Sequence, residues 1–272
     1  MFTRFKIDAD NLRYYLMDIR TEGTDYYTED SLRILENASE RIIAASHNGI
    51  VDADQLKDGF FPTEFREKYQ VFISHSHKDI ELIKQFANVL ANKYNVRCFV
   101  DSMVWGNMEK LLSRIDKKYC LSDNSQYFDY YKRNLSTSHV HAMLSIALLE
   151  MISQCECCIF VQSGNSVIPS LPLASINSQD KTFSPWIYEE INYMNQLQPY
   201  LPTQRRLTLF SSLNEGIKRD IENPVPIAHG INLDKFAKLD RAKMPYGELD
   251  DEGWLNVLYK IMGLAQEKQR LL

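Results

Sequence analysis

No Gly-x-Gly-x-x-Gly loop, P-loop, Gly-x-Ser-x-Gly elbow or His-Glu-x-x-His pair occurs in this chain, and only 10 of its 272 residues are glycine. An enzyme that keeps a dinucleotide as a reusable cofactor usually cradles the pyrophosphate in the first of these loops. The nearest approach, "SGNS" at 163–166, lacks the spacing. A basic excess is missing too. The net charge is −5, with 9 Lys/Arg against 14 Asp/Glu in residues 1–68 and 22 of each in the rest, so no nucleic-acid partner is expected. The opening "MFTRFKIDADN" lacks the apolar stretch of a secretory signal. The longest apolar-rich run, "VHAMLSIALLEMIS", is short for a bilayer and carries Glu150. A cytoplasmic protein with no membrane partner is the expectation. There are five cysteines, an odd number, and Cys155, Cys157 and Cys158 crowd one strand-like run. That spacing suits neither a disulfide nor the paired ligands of a zinc site, so reduced thiols and no metal are expected.

What is present is ordinary globular composition, 44% hydrophobic and 25% charged, in a chain long enough to bury a sizeable core. The opening reads as helical. Leu12, Leu16 and Ile19 recur at helical spacing, and Leu32, Leu35, Ala38, Ile42 and Ala45 form a second stripe that stops at Gly49. From Tyr69 the pattern changes. "YQVFIS", "VRCFVD" and "CECCIFVQS" read as short buried strands, separated by the helical patterns "DIELIKQFANVLANKY" and "SHVHAMLSIALLEMIS". "SPWIYEEINYMNQL" follows as a helix, "RLTLF" and "VPIAHGINL" are candidate fourth and fifth strands, and "GWLNVLYKIMGLAQEKQ" closes as an amphipathic helix. Such alternation predicts an α/β fold, a parallel sheet with helices on both faces, over residues 69–272. Residues 1–68 are expected to be a helical N-terminal extension. Residues 102–137, with the aromatic cluster "YFDYYKRN", and the Ser/Pro/Asn-rich stretch 164–183 interrupt the alternation. Long loops in a compact domain are usually functional or mobile. There is no internal repeat.

In a parallel sheet, ligands sit beyond the carboxyl ends of the strands. "YQVFISHSHKD" therefore draws attention, because Ser74-His75-Ser76-His77 fall at such an end. The helix "SPWIYEEINYM" is the second feature. Ser184 suits its N-cap and Pro185 its first turn. At 100° per residue from Trp186, Ile187, Ile191 and Met194 cluster on one face, which should meet the sheet. Glu190 falls at the edge of that face, one turn from Trp186, whereas Glu189 points well away and reads as a solvated charge. His139 and His141, two apart in a helix, do not share a face and make a poor metal pair.

Taken in order, "YQVFISHSHKD", "VRCFVD", "CCIFVQS" and "SPWIYEEI" resemble the signature of a TIR domain: a first strand of the type "VFISH" with a charged turn, a second strand ending in aspartate, and a helix beginning S-x-W-x-x-x-E. The resemblance covers roughly residues 69–272. It implies a flavodoxin-like sheet, with residues 102–137 as an insertion. TIR domains are either assembly adaptors or enzymes that cleave the nicotinamide–ribose bond of NAD. In the enzymes the catalytic acid lies four residues after the helix tryptophan, which here is Glu190, the residue that the helical wheel selects independently.

By the same resemblance the turn after the first strand lines the NAD pocket, placing His75, Ser76 and His77 near the substrate. Some relatives carry aromatic and basic residues there, whereas histidines would make positive charge depend on pH. Trp186 is expected to position Glu190 by packing, and Asp101 to cap the turn after its strand. NAD would be a substrate, not a cofactor. Expected partners are NAD, other copies of the chain through TIR–TIR contacts, and a downstream effector sensing the product, as in Thoeris-like antiphage defence. The product is ADP-ribose, a cyclic isomer or a conjugate. Residues 102–137 are a candidate lid. Two rivals stand beside this reading: a non-catalytic TIR adaptor or effector, and, more weakly, a nucleoside-processing transferase that also relies on one glutamate.

Overall fold

Five parallel strands in the order β3-β2-β4-β1-β7 form the centre of the molecule. The computed structural model describes residues 3–19, 23–27, 52–60, 69–122, 127–168, 180–198 and 229–262. The elements are β1 (Thr3–Asp8), α1 (Ala9–Asp18), α2 (Ala53–Phe60), β2 (Val71–Ser74), α3 (Ile80–Tyr94), β3 (Cys98–Val100) and α4 (Ser102–Tyr119). They continue with α5 (Tyr130–Gln154), β4 (Cys157–Gln162), β5 (Lys181–Thr182), α6 (Pro185–Gln196), β6 (His229–Gly230), β7 (Ala237–Leu239) and α7 (Asp251–Ile261).

Strand alternation divides the core in two. Phe72, Phe99, Cys158 and Phe160 face a layer supplied by α4, α5 and α6, including Leu111, Leu144, Leu148, Ile187 and Ile191. Val71, Ile73, Cys98, Val100, Ile159 and Val161 face α1, α3 and α7, where Leu12, Phe86, Leu90 and Trp254 are buried. Both sheet faces are therefore covered by helices, as the buried strand runs require. The five cysteines are free and buried.

The opening of the chain differs from the expected helical extension. α1 and α2 are helices, but Thr3–Asp8 is a six-residue strand paired with β4 along its whole length and with β7 on its other side. Residues 1–68 thus contribute an interior strand to the same sheet. Its sequence, TRFKID, places Phe5 and Ile7 on one face and Arg4 and Lys6 on the other, and the two cations hide the strand from a search for apolar runs. Counted from β2, the first three places follow the flavodoxin-like order 2-1-3, while the fourth is filled from the chain's opening. Of the two other expected strands, "RLTLF" lies outside the described residues, as does the helix expected over 28–49. In "VPIAHGINL", His229–Gly230 pair antiparallel with β5 in a separate two-stranded sheet.

The described part of residues 102–137 is mostly helical where a long loop was expected. α4 begins directly after β3, and α5 begins at Tyr130, eight residues before the expected start at Ser138, with an antiparallel bridge Leu121–Phe128 between them. Asp116 joins the two helices, accepting from Arg133 Nε at 3.0 Å and Ser136 Oγ at 2.5 Å. α5, 25 residues long, is long and apolar enough to cross a membrane, yet half of its most apolar stretch is buried within the molecule. Tyr127, Tyr130 and Tyr131 of the aromatic cluster are exposed.

Candidate active site

The chain runs from β2 outward to β3 and then returns across β2 to β4. The carboxyl ends of β2 and β4 therefore bound a topological switch point, the place where open α/β sheets hold ligands. Three loop starts meet near there: Ser74-His75 after β2, Asp101-Ser102 after β3 and Ser163-Asn165 after β4.

α6 supplies the acid. Ser184 caps it, its hydroxyl accepting from the Ile187 amide at 3.3 Å, and Pro185 occupies the first turn. Ile187 and Ile191 seat the helix on the sheet, which brings Glu190 over the end of β2. There Ser74 Oγ donates to Glu190 Oε2 at 2.5 Å. Ser74 is two residues beyond Phe72, so its side chain falls on the same sheet face, the one that α6 covers. Glu190 is completely buried, at 0% exposure. Burial is the first cause that pushes its pKa well above the ordinary carboxyl range; the Asp101 charge and a carboxyl–carboxyl hydrogen bond with Asp101 come next, and the Ser74 hydrogen bond acts the other way. Two carboxyls in one dry site cannot both ionise cheaply, which favours the protonated form of Glu190.

Asp101 is held from its other side by His75, whose Nδ1 lies 3.0 Å from Asp101 Oδ1 and 3.1 Å from the Ile73 carbonyl oxygen. Nδ1 faces two acceptors and so carries a proton. His75 Nε2 lies 2.7 Å from Ser102 Oγ, a group that either donates or accepts. Burial opposes a charge on this imidazole, but Asp101, the Ile73 carbonyl and the Asp79 charge outweigh it, and the pKa of His75 is raised. Ser74, His75, Asp101, Ser102 and Glu190 thus form one buried polar chain.

A second lock closes the switch point. Asp79, buried at the start of α3, accepts from Ser163 Oγ at 2.5 Å and from Asn165 Nδ2 at 2.8 Å. Ser166 Oγ in turn accepts from the Ser163 amide at 2.8 Å. From β1, the buried Arg4 donates to the carbonyls of Met194 and Leu197 (2.9 Å to Leu197) at the end of α6, and to Lys235 O at 3.2 Å. A cation there satisfies the orphan carbonyls of the helix that carries Glu190 and complements its dipole.

The residues singled out in the sequence separate as follows. Glu190, His75 and Asp101 come together. The Asp101 side chain makes no capping hydrogen bond among the described residues, contrary to expectation, because its carboxylate is engaged by His75. Ser76 is half-buried, and its carbonyl accepts from the Asp79 amide at 2.8 Å. His77 is exposed and stands apart from the cluster. Trp186 is half-buried and stacks on His141, with ring centroids 5.4 Å apart and planes 13° apart, which makes it a packing residue between α5 and α6. His139 is exposed while His141 is buried, as residues on different faces should be. Glu189 is a correction: it is buried, and Tyr193 Oη donates to its Oε1 at 2.5 Å. Its pKa is raised by burial, with Ser145 and Tyr193 lowering it. The wheel allowed α6 one buried face, whereas the helix is packed between the sheet and α5.

Ser102, Asp79, Ser163 and Asn165 were missed. Strand parity was the available signal for Ser74; nothing local signals the Asp79 clamp, which spans 84 positions to Ser163. Among the described residues no group of three or more His, Cys, Asp or Glu is placed to hold a metal ion. Compared with protein-family models, curated proteins and solved structures, the chain matches none of them.

Proposed function

We propose that this chain is a TIR-type enzyme that consumes NAD, cleaving its nicotinamide–ribose bond with Glu190 as the catalytic acid residue, and that its product is ADP-ribose or a cyclised or transferred derivative. The single observation that carries the reading is the Ser74–Glu190 hydrogen bond. It puts the glutamate selected by the S-x-W-x-x-x-E pattern at the end of β2, against a second carboxyl. The motif order in the sequence supplies the substrate class.

The chemistry asks for little more. Nicotinamide leaves as a neutral molecule from a cationic ring, so the leaving group needs scant acid assistance. The difficult species is the oxocarbenium-like ribose, as in glycoside cleavage. A carboxylate facing that carbon stabilises the developing charge, and fixed charge opposed to developing charge is often the largest catalytic contribution. After nicotinamide departs, the same carboxylate takes a proton from the water or hydroxyl that adds to the ribose.

Glu190 has no exposed surface, so substrate reaches it only after covering side chains move, and low basal turnover follows. The same burial favours the second reading, a non-catalytic interaction module in which the polar chain is a folding element. Incubation with NAD and, separately, with free nucleosides tests the proposal, with released base measured by chromatography and mass spectrometry. Nicotinamide from NAD alone supports it. Base released from nucleosides but not from NAD points to a nucleoside transferase, and no release from either, with or without lysate from phage-infected cells, supports the interaction module.

A further inference from the structure

The His75–Asp101 contact joins residues from two strand ends to an acid on a helix of the third layer, and the proposed chemistry does not itself require it. We propose that His75 is a positioning residue acting through Asp101: the imidazole pins the Asp101 carboxylate against the Glu190 carboxyl, so that Glu190 carries its proton at rest and releases it when a cationic ribosyl-pyridinium substrate arrives. This rests on the reading of Glu190 as the acid that faces substrate.

The geometry allows a charge-balanced resting state. With His75 as imidazolium, Nδ1–H donates to the Ile73 carbonyl and forms an ion pair with Asp101 Oδ1 at 3.0 Å, and Nε2–H donates to Ser102 Oγ. In this state Asp101 is ionised beside that cation and Glu190 holds its proton against it, the direction that burial and the Asp101 charge favour. One positive and one negative charge sit together, and the buried cluster is neutral overall, as a site without water demands. Among the described residues, the other titratable groups in contact with it are Asp79, which acts on His75, Glu189, which acts on Glu190, and the Cys158 thiol, on which Glu190 acts. None of these is a cation. A cationic substrate entering beside Glu190 supplies the missing positive charge; the proton leaves to solvent, and the carboxylate that stabilises the ribosyl cation is formed in place. Proton release is then linked to binding, and below the Glu190 midpoint KM falls by up to about tenfold for each unit of rising pH, with kcat changing less.

The test is a titration that needs no turnover: carboxyl-13C-labelled glutamate in wild type, Asp101→Asn and His75→Gln, with the Glu190 signal assigned from Glu190→Gln. Removing Asp101 removes a like charge, so the Glu190 midpoint moves down by about one unit or more. Removing His75 leaves the carboxyl pair without its cation, so the midpoint moves up. Ser102→Ala, which loosens only Nε2, moves it up by less and serves if His75→Gln fails to fold. Charge alone gives these signs wherever the three groups touch; the readout that a merely structural cluster would not move is the pH dependence of KM for NAD, whose midpoint should follow each Glu190 shift. Unchanged midpoints, or shifts of one sign in both, overturn the proposal. Opposite shifts in a protein that never cleaves NAD would uphold the coupling while refuting the proposed reaction, and NAD cleavage without the shifts would do the reverse.

Discussion

Ser74 and Glu190 lie 116 positions apart in the chain, and the serine hydroxyl meets the glutamate Oε2 at 2.5 Å, fully buried. The bond favours the ionised acid, against burial and Asp101. Ser74→Ala is therefore expected to raise the Glu190 midpoint and to remove a hydrogen bond to a charged group worth about 1.5–3 kcal/mol. That corresponds to a loss of roughly 10- to 100-fold in kcat/KM near neutral pH. A pH profile checks it: the rising limb should move to higher pH.

Glu190→Gln is expected to stabilise the fold at pH 7–8. A group whose folded pKa lies above its unfolded value favours folding fully only below the unfolded pKa, and that contribution is lost as pH rises through the folded one. Glu190 is such a group. The glutamine, which mimics the neutral form, does not lose it. Thermal melts should show the variant higher by a few degrees, at about 2–4 °C per kcal/mol for a chain of this size, with the gap closing toward pH 4.

Arg4 gives the opposite outcome. Its guanidinium is buried against the carbonyls that end α6, and Arg4→Met leaves them without a donor. A loss of about 2 kcal/mol or more in denaturant unfolding is expected. Deleting residues 1–68 should leave no cooperative fold, because β1 lies between β4 and β7. Circular dichroism of the truncated chain checks this, and a native-like melt would contradict it.

The contrast between Arg4 and Glu190 shows what the sequence made legible. α6 was readable because its signals are local: a serine cap, a proline in the first turn and apolar residues at helical spacing. β2 and β4 were readable as apolar runs. β1 was not, since Arg4 and Lys6 alternate with Phe5 and Ile7 and the arginine is buried for a partner some 190 residues away. The His75–Asp101 pair is hidden for the same reason. Each residue looks like an ordinary turn member, and only the adjacency of β2 and β3 joins them. Glu189 was misjudged because α5 supplies a second buried face that no helical wheel contains.

Asp79 is expected to control the loop after β4. Asp79→Ala removes the acceptor for both Ser163 and Asn165. Hydrogen exchange should quicken at the Ser163, Asn165 and Ser166 amides and stay unchanged in α7. Equal exchange across the loop in both proteins would show that the clamp is incidental.

The central claim is that Glu190 cleaves NAD. The most direct measurement is nicotinamide release from NAD by wild type and by Glu190→Gln, each first shown to be folded by circular dichroism. Release is expected from the wild type, alone or after addition of lysate from phage-infected cells, with a loss of at least about 100-fold in the folded variant. Equal release by the two proteins would contradict it.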